Sequence, residues 1–228
     1  LLAQIRANNP NTVYDLGCGL GNVTEFIRRK WPKANVIGVD SSQEMLAQAR
    51  KRYPDNTWLS ADLRSWRPTE PGDVFYANAV FQWVKPHEDV LFRLLSSARS
   101  GGVLAFQLPR NWNAPSHQVM HELVSENPHR ERLEKYLLKD PVGSPEDYYD
   151  LLRPYVERID IWETEYLQIL DGDNAVAEWI RGTSLKPLLD ALGAEAADDF
   201  YADYIERIKV FYPQHSDGRT LYPFRRLF

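Results

Sequence analysis

Over its first hundred residues the chain alternates short apolar runs with longer segments whose apolar positions recur at helical spacing. Residues 13–16 are such a run, and 22–31 follow with Val23, Phe26, Ile27 and Trp31 apolar, which predicts a strand and then a helix. The order repeats. Residues 35–40 read as a strand; 41–53 as a helix with Met45, Leu46 and Ala49 inward, stopped by Pro54-Asp55; 57–60 as a strand; 63–71 as a loop; and 72–80 as a central strand. A helix over 86–99 then turns Val90, Leu91, Leu94, Leu95 and Ala98 inward, and Ser100-Gly101-Gly102 turns into a strand over 103–108. Ahead of all these, Leu1, Leu2 and Ile5 predict a helix over 1–7 lying against the sheet. Regular β-α alternation of this kind implies a parallel sheet with helices on both faces.

After Leu108 the alternation breaks. Residues 110–138 are long and polar or helical, 148–155 resume a helix, 156–170 read as a long strand, 175–212 are again helical, and 219–228 read as a last strand. Pro223 fits a bend or an edge there better than an uninterrupted ladder. The two helical insertions, at about 110–145 and 172–213, emerge where strands end, which is where ligands bind in open α/β sheets, so they are a candidate lid. With 228 residues the chain is read as a single domain, 1–228, large enough for a sizeable core.

Charge narrows the partners. A net charge of −5 supplies no global basic field for nucleic acid or an anionic membrane, so any bound anion needs local cations. The single cysteine, Cys18, excludes an internal disulfide and fits a reducing compartment. No apolar run approaches the ~20 residues of a membrane span and no signal peptide is visible, so a cytoplasmic protein is expected. The sequence opens on Leu1 rather than methionine, which leaves room for a leader or a further N-terminal segment.

The candidate chemistry sits between the first strand and the first helix. Gly17, Gly19 and Gly21 stand at alternate positions, where bare main chain makes a tight turn and lets a ligand approach closely. The spacing is G-x-G-x-G, not the G-x-G-x-x-G of dinucleotide sites, and Asp15 stands two residues before the first glycine. A carboxylate there would repel a pyrophosphate but suits an ammonium group. Three alternating glycines alone fit a purely structural turn equally well. With Asp15 they resemble the first motif of the class I S-adenosylmethionine-dependent methyltransferases. That resemblance implies a Rossmann-like sheet, mostly parallel with an antiparallel last strand, and S-adenosyl-L-methionine as cofactor.

Two more carboxylates fall at the distances such a fold needs. Asp40 ends the second predicted strand about 20 residues after the glycine turn, where it can accept from both ribose hydroxyls; before Ser41-Ser42 it could instead cap the next helix. The resemblance further implies that Asp62, in Ser60-Ala61-Asp62-Leu63, takes the adenine amine while the Leu63 N–H meets a ring nitrogen. The expected cofactor set is Asp15, Gly17, Cys18, Gly19, Gly21, Asp40, Ser41, Asp62, Leu63, Asn78 and Ala79, with Cys18 read as a small buried filler rather than a nucleophile.

After the central strand, Asn78-Ala79-Val80-Phe81-Gln82-Trp83 lacks the Asn/Asp-Pro-Pro-aromatic motif of adenine and amide methyltransferases. It resembles instead the subgroup that methylates carboxylates of small molecules or acyl carriers, although Trp83 also reads as a core aromatic. Three further segments are Gln107 through His117, Glu178 through Pro187, and Tyr222-Pro223-Phe224-Arg225-Arg226. They resemble the trans-aconitate 2-methyltransferase family, and the likeness runs over essentially the whole chain while shading into a neighbouring family that methylates malonyl groups on acyl carrier protein. The implied substrate is a small polycarboxylate, positioned by Gln82, Trp83, Arg110, His117, Trp179, Arg181, Arg225 and Arg226.

Arginine suits the task because its fork meets a carboxylate bidentately. Each arginine taken singly reads as a solvated surface residue. Arg225 and Arg226 point to opposite sides of a strand, so at most one reaches a cleft. His117 and His121 lie four apart, but Glu122 is the only further near ligand, so no metal is assigned. No G-x-S-x-G stretch supports hydrolysis. A carboxylate is already ionised at pH 7, so methyl transfer needs alignment rather than a general base, and alignment contributes on the order of 7–11 kcal/mol. A non-catalytic binding protein on the same fold is the reading from another class. The sequence leaves the oligomeric state open.

Overall fold

The computed structural model describes residues 1–137 and 141–228; the end of the first expected insertion, 138–140, lies outside the described residues. The strands are β1 (Thr12–Leu16), β2 (Asn35–Asp40), β3 (Thr57–Ser60), β4 (Gly72–Asn78), β5 (Ala98–Pro109), β6 (Glu163–Asp171) and β7 (Arg219–Leu227). They hydrogen-bond in the order β3-β2-β1-β4-β5-β7-β6. β1 through β5 run parallel, with Val13 opposite both Val36 and Val74. Trp162 and Phe228 exchange both backbone hydrogen bonds, at 3.1 and 2.9 Å, the signature of an antiparallel pair at the start of β6 and the end of β7. The expected mostly parallel, Rossmann-like sheet with an antiparallel last strand is therefore present.

The chain folds as two compact units, one of Leu1–Pro109, Val142–Glu163 and Leu227–Phe228, the other of Arg110–Pro141 and Thr164–Arg226. In the first, every residue of β1 is buried, which is why that strand reads as an unbroken run rather than an alternating one. Ile5, Val13, Ile27, Trp31, Val36, Val74, Tyr76 and Ala105 form one core cluster of this unit. Helix α1 (Asn22–Lys30) starts from Gly21 and closes on Arg28, Arg29 and Lys30, cations that suit the negative end of its dipole. Helix α2 (Gln43–Arg52) is capped by Ser42, whose hydroxyl accepts the Met45 N–H, and α3 (His87–Ser96) buries Val90, Leu91 and Leu94.

Several sequence expectations need correction here. Residues 1–7 make only a 3₁₀ turn over Leu2–Gln4, because Asn8-Asn9-Pro10 leaves too short a segment to propagate a helix; Ile5 is buried, and Leu1 and Leu2 pack partly buried against the same core. Phe26 is 58 % exposed and Thr24 and Glu25 turn inward in its place, Thr24 because its hydroxyl bonds Asp15. Met45 is likewise outward, leaving Leu46 and Ala49 to pack. Ser100-Gly101-Gly102 is not a turn: β5 begins at Ala98, and Gly101, with φ +77°, lies in an irregular stretch between the Gly72–Ala98 and Val74–Val103 pairs. Helix α6 (Pro145–Leu152) starts three residues early because Ser144 and Asp147 form a capping box.

The second unit holds α4 (Pro115–Glu126), α5 (Arg130–Leu133), α7 (Ala175–Arg181), α8 (Lys186–Leu192) and α9 (Ala194–Ile208). Its core gathers Val119, Met120, Leu123 and Val124 of α4, Val176 and Ile180 of α7, Leu188 of α8 and Phe200, Tyr204 and Ile208 of α9 around Tyr222. Pro223 sits in neither an edge strand nor a bend, contrary to expectation. The Arg110 N–H donates to the Arg225 carbonyl at 2.9 Å, and two residues further on, at Trp112, the chain has turned away, so no ladder bond is asked of Pro223 on that side.

Candidate active site

The glycine turn is held from below. Gly17 and Cys18 donate their N–H groups to the Val39 carbonyl at 2.8 and 3.1 Å, and Gly21 to the Cys18 carbonyl at 2.9 Å. Gly17, Gly19 and Gly21 have φ of +66°, +52° and +78°. At Gly17 and Gly21 a Cβ would overlap the Val80 and Trp58 side chains, so both positions need glycine twice over, for conformation and for space. Gly19 has only the Met45 sulfur, 3.6 Å from where its Cβ would be. Cys18 is buried, and burial pushes its thiol pKa up, which makes it an inert filler as expected.

Asp15 and Asp40 stand beside this turn, and Asp62 follows β3. Asp15 is buried and accepts the Thr24 hydroxyl at 2.5 Å; burial raises its pKa to about 7, with the Asp40 charge adding to the rise. Asp40 accepts the Gly19 N–H on Oδ2 and the Ser42 N–H on Oδ1, both at 2.8 Å. One lone pair on each oxygen is left for a diol, so the capping and ribose-binding readings of Asp40 are compatible. Ser41 lies exposed beside it, and the helix cap is Ser42. Asp62 is gripped by Arg64, through the backbone N–H at 2.9 Å and the guanidinium at 2.6 to 3.0 Å, and this pairing lowers its pKa. An adenine amine reaches Asp62 by taking a position that Arg64 fills. Leu63, next to it, is buried.

At the end of β4 the backbone turns sharply: Asn78 is half-buried, Ala79 takes φ +56°, and its N–H is held by the Gln107 carbonyl at 2.9 Å. Gln82 donates Nε2 to the Ala79 carbonyl at 2.7 Å and leaves a buried Oε1 with no hydrogen-bond partner. That spare group is an acceptor, which an ammonium or hydroxyl satisfies and a carboxylate does not. Trp83 is 57 % exposed and is not a core aromatic.

The second unit arranges the remaining candidates. His117 is buried with its ring nitrogens 3.4 Å from the Ser116 and Ser184 hydroxyls, and Trp112 packs edge-on at 5.0 Å. Burial first, then His121, lowers its pKa to about 4, so at neutral pH it is an uncharged hydrogen-bonding group. Tyr222 accepts the Asn111 amide at 3.0 Å and lies 3.3 Å from the Ser116 hydroxyl. Sequence reasoning missed the Asn111, Ser116 and Tyr222 cluster, along with Thr24 and Trp58, because no local motif marks such pairs.

The arginines divide. Arg225 is exposed and pairs with Glu165 across the strands at 3.2 Å. Arg226, on the opposite side, is half-buried over the Phe224 ring at 5.0 Å, and burial lowers its pKa. Trp179 packs against both Phe224 and Tyr222 at 6.3 Å. Arg181 lies over Tyr201 at 4.7 Å and 3.7 Å from Glu178. Arg110 is anchored beside Arg225 through its backbone. Among the described residues no group of His, Cys, Asp and Glu stands close enough to hold a metal ion, and no helix is long and apolar enough to cross a membrane.

Residues 13–102, spanning the glycine turn and all three carboxylates, match the methyltransferase domain family. A trans-aconitate 2-methyltransferase from Azoarcus sp. (strain BH72) is 45 % identical over 100 % of this chain and 89 % of its own length. Proteins of the same name from Rhodopseudomonas palustris (strain BisB18) and Yersinia pestis (strain Pestoides F) are 44 % and 41 % identical over 100 % of the chain, covering 90 % and 89 % of their own lengths. The glycine turn, open to close approach, with the buried Asp15 and the strand-end Asp40 beside it, fits S-adenosylmethionine, the family's methyl donor. The chain belongs to the trans-aconitate 2-methyltransferase family of class I S-adenosylmethionine-dependent methyltransferases.

Proposed function

We propose that this chain esterifies one carboxylate of trans-aconitate with the methyl group of S-adenosylmethionine. The observation that carries the reading is a 45 % identity to a trans-aconitate 2-methyltransferase over 100 % of this chain, a span that includes both helical insertions, where the substrate residues are expected. Bound S-adenosylmethionine supplies an activated methyl group on a sulfonium. A carboxylate oxygen forms the new bond to carbon as the carbon–sulfur bond breaks, the electron pair goes to sulfur, and no proton moves.

What the protein does is hold and align. Asp15 meets the cofactor ammonium and Asp40 the ribose hydroxyls, while Asp62 and the Leu63 N–H read the adenine. Arg110, Arg181 and Arg226 are the cations for the non-reacting carboxylates, with neutral His117 as a further donor and Trp83 and Trp179 as walls that exclude water. The reacting oxygen is left without a tight cationic partner, because its charge is lost in the transition state and a strong grip there would favour the ground state. Incubation with labelled cofactor and trans-aconitate tests the reading: a monomethyl ester is expected, and a folded, cofactor-binding protein that makes none contradicts it.

A further inference from the structure

Beyond the residues that meet the ligands, one arginine of α3 is tied to the loop that follows β3. Arg93 donates through Nη2 to the carbonyls of Leu63 and Arg64, while its Nε is buried with no hydrogen-bond partner. The peptide linking Leu63 to Arg64 is thus fixed at both ends. Its N–H, belonging to Arg64, lies on Asp62 Oδ1 at 2.9 Å, and its carbonyl, belonging to Leu63, lies on Arg93. The Asp62 carbonyl in turn accepts the N–H groups of Ser65 and Trp66, at 3.0 and 2.8 Å. A peptide held at one end only can rotate about its flanking bonds; held at both, it keeps its N–H on Asp62 Oδ1 even when an adenine amine takes the place of the Arg64 guanidinium on the carboxylate.

Burying a guanidinium is costly, and the bonds it makes here go to loop carbonyls rather than to a carboxylate. An alkyl side chain would fill the space at lower cost, so the two carbonyl bonds are what the charge contributes.

We propose that Arg93 is a positioning residue for base recognition: without touching the ligand, it locks the Leu63–Arg64 peptide and so aims Asp62 at the adenine amine. The proposal rests on the reading of Asp62 as the acceptor for that amine. Remote anchors of this kind set how well a site discriminates, because a misaimed acceptor loses the directional part of its hydrogen bond.

The test compares binding of S-adenosylhomocysteine with that of an analogue whose purine lacks the 6-amine, by calorimetry, for the unaltered chain and for Arg93→Met, Arg93→Lys and Asp62→Ala. The unaltered chain should prefer the amine-bearing ligand by about tenfold or more, the worth of one hydrogen bond to a charged group. Arg93→Met should lose most of that preference, Arg93→Lys should keep part of it, and the Michaelis constant for trans-aconitate at saturating cofactor should stay within about twofold. A merely structural role would weaken both ligands equally. Retention of the full preference by Arg93→Met overturns the proposal, and if that variant does not fold, full retention by Arg93→Lys does so. Retention by Asp62→Ala, which has no side-chain acceptor, overturns the adenine reading of Asp62 itself, and the proposal with it.

Discussion

Asp40 Oδ2 accepts the Gly19 N–H at 2.8 Å, so the carboxylate that ends β2 and the turn that follows β1 are one hydrogen-bonded unit. The other oxygen holds the Ser42 N–H at the start of α2. Asp40→Ala therefore removes the proposed ribose acceptor together with the anchors of Gly19 and Ser42. Affinity for S-adenosylhomocysteine is expected to fall by about tenfold or more, with little change in the Michaelis constant for trans-aconitate. Calorimetry beside steady-state kinetics checks this; unchanged cofactor affinity would remove Asp40 from the site.

With Asp15 as the proposed partner of the cofactor ammonium, its raised pKa, about 7, is expected to make cofactor binding pH-dependent. An ammonium favours the ionised acid, so binding at pH 6 must first expel a proton that is largely absent at pH 8. Affinity should rise by nearly tenfold between those values, with protons released on binding at the lower pH. Asp15→Asn should bind more weakly and lose the dependence. Calorimetry in two buffers of different ionisation enthalpy measures the release directly, and zero release at pH 6 would count against an Asp15–ammonium contact.

Stability of the free protein carries two opposed slopes. Asp15 keeps its proton in the fold while the unfolded chain loses it near the ordinary carboxylate value, so this group's contribution falls as pH rises from about 4 to 7. His117, lowered to about 4, stays neutral in the fold while the unfolded imidazole protonates below about 6.5, so its contribution is lost as pH falls through that same window. Denaturant midpoints between pH 4.5 and 7 should drop more steeply on acidification for Asp15→Asn than for the unaltered chain. His117→Phe should reverse the trend.

Arg225 and Arg226 are neighbours in sequence with opposite surroundings, one exposed on Glu165 and the other half-buried on Phe224. Arg226→Ala and Arg110→Ala should raise the Michaelis constant for trans-aconitate by tens-fold, since losing one partner of a hydrogen-bonded charge pair costs about 2–5 kcal/mol. Arg225→Ala should change it by about threefold at most, the range of an exposed pair. Arg181→Ala should also weaken substrate binding, to an extent limited by the hold of Glu178 and Tyr201 on that guanidinium. Equal effects at positions 225 and 226 would contradict the assignment.

Local signals made much of the first unit legible. β2 and β3 fall where apolar runs bounded by turn residues put them, and Gly17 and Gly21 take the left-handed angles that their spacing demanded. Where side-chain bonding overrides apolar pattern, as at Thr24 and Phe26, pattern alone picks the wrong face. The clasp of Arg93 on the Leu63 and Arg64 carbonyls, and the Asn111, Ser116 and Tyr222 cluster, join residues far apart in sequence through groups that no spacing rule encodes.

The substrate claim is tested most directly by offering trans-aconitate and malonyl acyl carrier protein side by side, with labelled S-adenosylmethionine. A free polycarboxylate needs a few converging arginines, whereas an acidic carrier protein needs a basic docking surface, which a chain of net charge −5 is poorly placed to supply. A methyl ester of trans-aconitate, formed with a kcat/KM well above that for the carrier protein, is the predicted result. Faster methylation of the carrier protein, with trans-aconitate left unmodified, would contradict it.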